Sequence, residues 1–144
     1  MVKNLQVIDK TNHEIDKSTI HKLVHRLRSI LDFEISSLLI NFLPDKDIRE
    51  INSKYLKHHY STDIITFNYS EKENIIDAEL FICPDVAVQN AKFFHVTFRE
   101  EILRLVIHGI LHLLGYDDKN KKDQIKMKKE ENRLVNESKY LIEK

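Results

Sequence analysis

The stretch Thr97-Phe98-Arg99-Glu100-Glu101-Ile102-Leu103-Arg104-Leu105-Val106-Ile107-His108-Gly109-Ile110-Leu111-His112-Leu113-Leu114-Gly115 decides how this chain folds. It opens on Thr97 with Glu100 three residues later, the pattern of a capping box at a helix start. It then runs apolar nearly all round, through Ile102, Leu103, Leu105, Val106, Ile107, Ile110, Leu111, Leu113 and Leu114. A helix with apolar residues on every side must be surrounded by other elements, so this segment is predicted to be the central buried helix. Gly115 stands where that helix would stop.

Working outward, residues 2–8 alternate loosely and predict a first strand. Asp16 or Ser18 can cap a helix whose apolar residues Ile20, Leu23, Val24, Leu27, Ile30 and Leu31 keep helical spacing. Residues 34–43 read as a strand, and Pro44 suits the first turn of a short helix ending near Leu56. Residues 63–69 are rich in β-branched and aromatic side chains and predict a third strand. Glu79-Leu80-Phe81-Ile82-Cys83 predicts a fourth, ended by Pro84, which opens a helix to about Phe94. A charged last helix is expected over residues 121–141. The expected architecture is α+β: one domain over residues 1–144, a mixed four-stranded sheet packed by helices.

With 144 residues, 42% of them hydrophobic and 32% charged, the chain is long enough for one real core. No segment approaches the ~20 apolar residues that span a bilayer, and Met1-Val2-Lys3-Asn4-Leu5-Gln6-Val7-Ile8 is too polar for a signal-peptide core. The single cysteine, Cys83, rules out an internal disulfide, and no disulfide-linked partner is expected. A cytoplasmic location is expected, and Cys83 reads most simply as a small buried apolar residue. Lys and Arg balance Asp and Glu at 23 each, so any contact with nucleic acid must come from local patches.

His108 and His112 lie four residues apart, on one face of the predicted helix, so both imidazoles can address one ion. A third ligand would come from beyond Gly115, where Asp117 and Asp118 are adjacent carboxylates. This pattern reads as a zinc site with an open position, one Zn2+ per chain. The plainer reading makes the histidines hydrogen-bonded core residues and the aspartates a solvated turn. Two histidines at helical spacing, with Gly and carboxylates behind them, favour the metal. Zinc peptidases of the His-Glu-x-x-His type carry a glutamate after the first histidine; here that position is Gly109.

The run from His108 to Asp117, His-Gly-x-Leu-His-Leu-x-Gly-Tyr-Asp, resembles the signature of the YbeY-type bacterial endoribonucleases. Thr62-Asp63-Ile64-Ile65-Thr66-Phe67 is similar to that family's Thr-Asp-Val-Leu-Ser-Phe segment, and Ala78-Glu79-Leu80-Phe81-Ile82-Cys83 to its Gly-Asp-Ile-x-Ile-Ser strand. Gln89-Asn90-Ala91 falls where the family's next helix begins. The resemblance covers residues 52–134 and implies a zinc-dependent, single-strand endoribonuclease of the bacterial cytoplasm. It would act in small-subunit ribosomal RNA 3′-end maturation and ribosome quality control, with ribosomal RNA and the small subunit or its assembly factors as partners.

The same resemblance implies His108, His112 and Asp118 as metal ligands acting catalytically through the bound ion; Asp117, beside them, is a candidate for a further ligand or a supporting acceptor. Two departures stand out. Asp118 occupies the family's usual third-histidine position, and Leu56 follows Tyr55 where the family has arginine. Lys57, His58 and His59, together with Lys54, form one basic cluster for RNA contact. Lys119, Lys121 and Lys122 begin a second that continues through Lys126, Lys128 and Lys129. A lysine-rich helix interleaved with Asp123, Glu130 and Glu131 is also the pattern of a solvated face. Tyr60, Phe67 and Tyr69 are aromatic candidates for base stacking, with core packing the simpler role of Phe67. Two other classes compete: a peptidase-like zinc hydrolase of another bond, and a non-catalytic ribosome-associated protein with a structural metal.

Overall fold

The computed structural model describes residues 1–56 and 62–143. Lys57, His58, His59 and Tyr60 lie outside them. The elements, in chain order, are β1 (Leu5–Asp9), α1 (Lys17–Leu31), β2 (Glu34–Phe42), α2 (Asp45–Leu56), β3 (Ile64–Asn68), β4 (Ile75–Ile82), α3 (Pro84–Phe94), α4 (Phe98–Leu113) and α5 (Lys121–Ser138), followed by a short 3-10 turn, Lys139–Leu141. This is the α+β layout expected, with every predicted element present.

The sheet order is β1-β2-β4-β3. β1 and β4 run parallel to β2 on either side, and β3 closes one edge antiparallel to β4, which makes the sheet mixed. β4 starts four residues earlier than the sequence reading placed it. Its alternation is regular from the start: Ile76, Ala78, Leu80 and Ile82 are buried, while Asp77 and Glu79 face the other side. Ala and Asp are poor strand formers, so local propensity hid a half that the pleat reveals. β1 starts three residues later than expected, because Asn4 adopts a left-handed conformation (φ 66°).

Burial explains the helices. α1 is capped by Asp16, whose carboxylate accepts from the Thr19 N–H at 3.2 Å, and buries Ile20, Leu23, Val24 and Leu27. α4 has β3 and β4 on one side and α1, α3 and α5 on others, and buries nine residues from Glu101 to Leu111. It is the central buried helix. Gly109 sets its approach to the sheet: a Cβ there would lie 2.9 Å from Ile64 Cδ1 and 3.0 Å from Leu80 Cδ1. Position 109 therefore faces the sheet, where a glutamate would be driven into the core. A second, smaller cluster of Leu43, Ile48, Ile65 and Cys83 lies with Phe67 and Phe81 beside α2. Phe67 is thus a packing residue, and Cys83 is fully buried with burial pushing its thiol upward. No helix among the described residues is long and apolar enough to cross a membrane.

Candidate functional site

Both ends of α4 are built locally, and the C-terminal end shapes the site. Gly115 takes φ 105°, a conformation costly for any side-chain-bearing residue. Its N–H donates to His112 O at 3.2 Å and the next N–H, of Tyr116, donates to Leu111 O at 3.1 Å. This pair is a Schellman termination, and it folds the chain back over the last turn. The Tyr116 carbonyl is brought to 3.1 Å from His112 Nδ1. A carbonyl only accepts, so Nδ1 carries a proton, and Nε2 is the nitrogen left to meet another partner.

His108, one turn earlier, is held from another element. Its Nδ1 lies 2.7 Å from Glu131 Oε1 on α5. The same carboxylate accepts from Arg104 Nη1 at 2.7 Å and from Lys128 Nζ at 3.1 Å through Oε2. Glu131 is only 3% exposed. Burial pushes its carboxyl up, but His108, Arg104 and Lys128 outweigh that and hold it down to about 2. The hydrogen bond to Glu131 raises His108 in return, against the opposing effect of burial. The two imidazoles lie nearly parallel, 10° apart with centroids at 6.4 Å. Each has its Nδ1 engaged, so each presents Nε2.

His108 opens into a cavity of about 280 Å³ between α3, α4 and α5. Its wall includes Asp63, Asn90, Glu101, Arg104, Asp118, Lys128 and Glu131. Asn90 Nδ2 donates to Asp63 Oδ2 at 3.1 Å and to Glu101 Oε2 at 3.3 Å, bridging two carboxylates. Burial, the dominant cause, pushes the Glu101 carboxyl upward, against the Asn90 hydrogen bond. Among the described residues, the wall thus holds four carboxylates and two permanent cations. Such a surface repels phosphate until something positive joins it.

The predicted residues are brought together in part. His108 and Asp118 share the cavity, and His108 stacks with His112, which is exposed beyond the cavity rim. Among the described residues, no three His, Cys, Asp or Glu side chains are gathered closely enough to hold one ion. Asp118 sits on the exposed turn between α4 and α5, where its carbonyl accepts from Gln124 Nε2 at 2.8 Å. Asp117 accepts from the Lys119 N–H at 3.2 Å through its side chain. The donor chemistry fits a divalent metal: two imidazoles on one helix face, each oriented by an engaged Nδ1 and each presenting Nε2, with carboxylates nearby. Lys119, Lys121 and Lys122 are all exposed around the start of α5. Tyr69 is exposed and its hydroxyl donates to Glu79 Oε1 at 3.3 Å.

Sequence reasoning did not find Glu131, Arg104, Asn90 and Glu101. For Glu131 a signal existed. Met127, Leu134, Val135 and Ser138 mark the buried face of α5, and Glu131 falls on that face. A charged residue at a core position of an amphipathic helix needs a buried partner.

Fold and site together define a small α+β protein whose central helix carries a paired-imidazole centre beside an acidic cavity. The family model described as endoribonuclease YbeY matches residues 4–139. The chain is 36% identical over 132 residues to the endoribonuclease YbeY of Chlorobium limicola, covering 92% of this chain and 91% of that one. It is 48% identical over 94 residues to the protein of the same name from Parabacteroides distasonis, covering 65% and 66%. The solution structure of TM1509 from Thermotoga maritima superposes with a TM-score of 0.64 at 28% identity, over 93% of this chain and 88% of that one. The chain belongs to the endoribonuclease YbeY family.

Proposed function

We propose that this protein is a metal-dependent endoribonuclease that cuts single-stranded RNA during ribosomal RNA maturation, with ribosomal RNA as substrate and the small ribosomal subunit or its assembly factors as its setting. The observation that carries this reading is the pair of parallel imidazoles with free Nε2 atoms, on a helix that the family match spans. His108 and His112 would hold the ion, with Asp118 as the third ligand and zinc as the metal. A zinc ion there supplies a Lewis acid for a phosphoryl oxygen and lowers the pKa of water.

The chain's own residues do the rest. Glu131 fixes the His108 tautomer, and the Tyr116 carbonyl fixes that of His112. Arg104 and Lys128 place positive charge in the cavity wall. Burial pushes the Glu101 carboxyl towards its protonated form, the direction a proton donor needs. Lys119, Lys121 and Lys122 line the strand's approach.

Substrate class separates this reading from its competitors. Zinc-loaded protein is expected to cut single-stranded RNA internally, leave duplex RNA largely intact and spare peptide substrates. Peptide hydrolysis without RNA cleavage would favour the other hydrolase class, and neither activity on naked RNA nor on ribosomes would favour a structural metal. Because Asp118 is exposed, Asp118→Ala is expected to leave metal-free stability within about 0.5 kcal/mol while weakening zinc binding in a competition titration. Unchanged zinc affinity would remove Asp118 from the ligand set.

A further inference from the structure

Two large apolar side chains remain in water beside the cavity. Phe93 is 77% exposed and Phe94 is 62% exposed. They close α3, which ends because His95 turns left-handed (φ 57°) and directs its N–H back to the carbonyls of Ala91 and Lys92. The two rings are nearly perpendicular, 88° apart with centroids at 5.0 Å, so they cannot both lie flat on one surface. Only Phe94 joins the wall of the cavity that holds His108 and Asp118. Among the described residues it is the one phenyl or phenol ring there; Leu105 and Met127, the other apolar contributors, are buried.

We infer that Phe94 is the stacking platform for one unpaired nucleobase of the RNA strand whose phosphate lies at the histidine centre. The inference rests on the endoribonuclease reading and adds a base-positioning residue to it. The folded core does not need this ring, and its exposure brings an open apolar face to a wall rich in charged and amide groups. A flat π-face in the same cavity wall as Arg104 and Lys128 matches a nucleotide, whose base is apolar above and below and whose phosphate is anionic. A docking peptide helix or strand would need a continuous apolar groove, whereas this wall mixes the ring with charged and amide side chains. Stacking is indifferent to base identity, so Phe94 positions the strand without dictating its sequence.

Steady-state cleavage by zinc-loaded wild type, Phe94→Ala and Phe94→Tyr tests this, using a short single-stranded RNA and a set of the same RNAs each carrying one abasic nucleotide. Phe94→Ala is expected to raise KM about tenfold with kcat within about twofold, and Phe94→Tyr to restore KM. One abasic RNA is expected to show the same loss with wild type and no further loss with Phe94→Ala. Active wild type with an unchanged Phe94→Ala KM, or losses that add at every abasic position, would overturn the inference alone. Wild type that neither binds nor cuts RNA would overturn it together with the endoribonuclease reading.

Discussion

Glu131→Leu is expected to destabilise the metal-free protein by about 3–5 kcal/mol, because it strands Arg104 and His108 without the buried carboxylate that both engage. Urea unfolding in the presence of chelator measures this. The loss depends on pH. The Glu131 carboxyl, held to about 2 against an ordinary 4.5, contributes stability above 4.5 that disappears as pH falls towards 2. His108, held above its ordinary 6.5, contributes below 6.5 and loses that contribution as pH rises through its folded value. The gap between wild type and Glu131→Leu is therefore expected to be widest between about pH 4.5 and 6.5 and to narrow on both sides. A pH-independent gap would mean that Glu131 acts through packing alone. Zinc-loaded Glu131→Leu is also expected to lose about 10–100-fold in cleavage rate, since the His108 ring loses the group that orients it.

His112→Ala is expected to have the opposite profile. The side chain is exposed, so stability should change by no more than about 0.5 kcal/mol. Cleavage should fall further than the ~10–100-fold typical of outer partners, because a proposed ligand is lost rather than its support. Comparing the two variants separates holding the fold together from holding the ion. Under the proposed ligand set, Glu131 would do the first and help the second, and His112 would do only the second.

The fold was legible where periodicity and capping agreed. Thr97 caps α4 as read, with its hydroxyl accepting from the Glu100 N–H at 3.1 Å. The Glu100 carboxylate, however, pairs with Lys139 at 3.4 Å, a tertiary contact no local pattern encodes. Pro84 opened α3 as expected, and the all-round apolar α4 became the central helix. The site was legible only along α4, where spacing alone put His108 and His112 on one face. Glu131, 23 residues further on, reaches His108 because α5 packs across α4. Asn90 and Phe94 reach the cavity because α3 does so from the other side. Asp118 was legible as a position but not as a geometry, since the turn that carries it is placed by tertiary contacts such as Gln124 to its carbonyl.

The central claim is that RNA cleavage runs through an ion held by the paired imidazoles. One assay tests it directly: the rate of internal cleavage of a single-stranded fragment from the 3′ end of small-subunit ribosomal RNA. The samples are zinc-loaded wild type, chelator-treated wild type and zinc-loaded His112→Ala. Cleavage is expected in the first sample and not in the other two, and zinc added back should restore the chelated wild type alone. Equal cleavage in all three would contradict the claim.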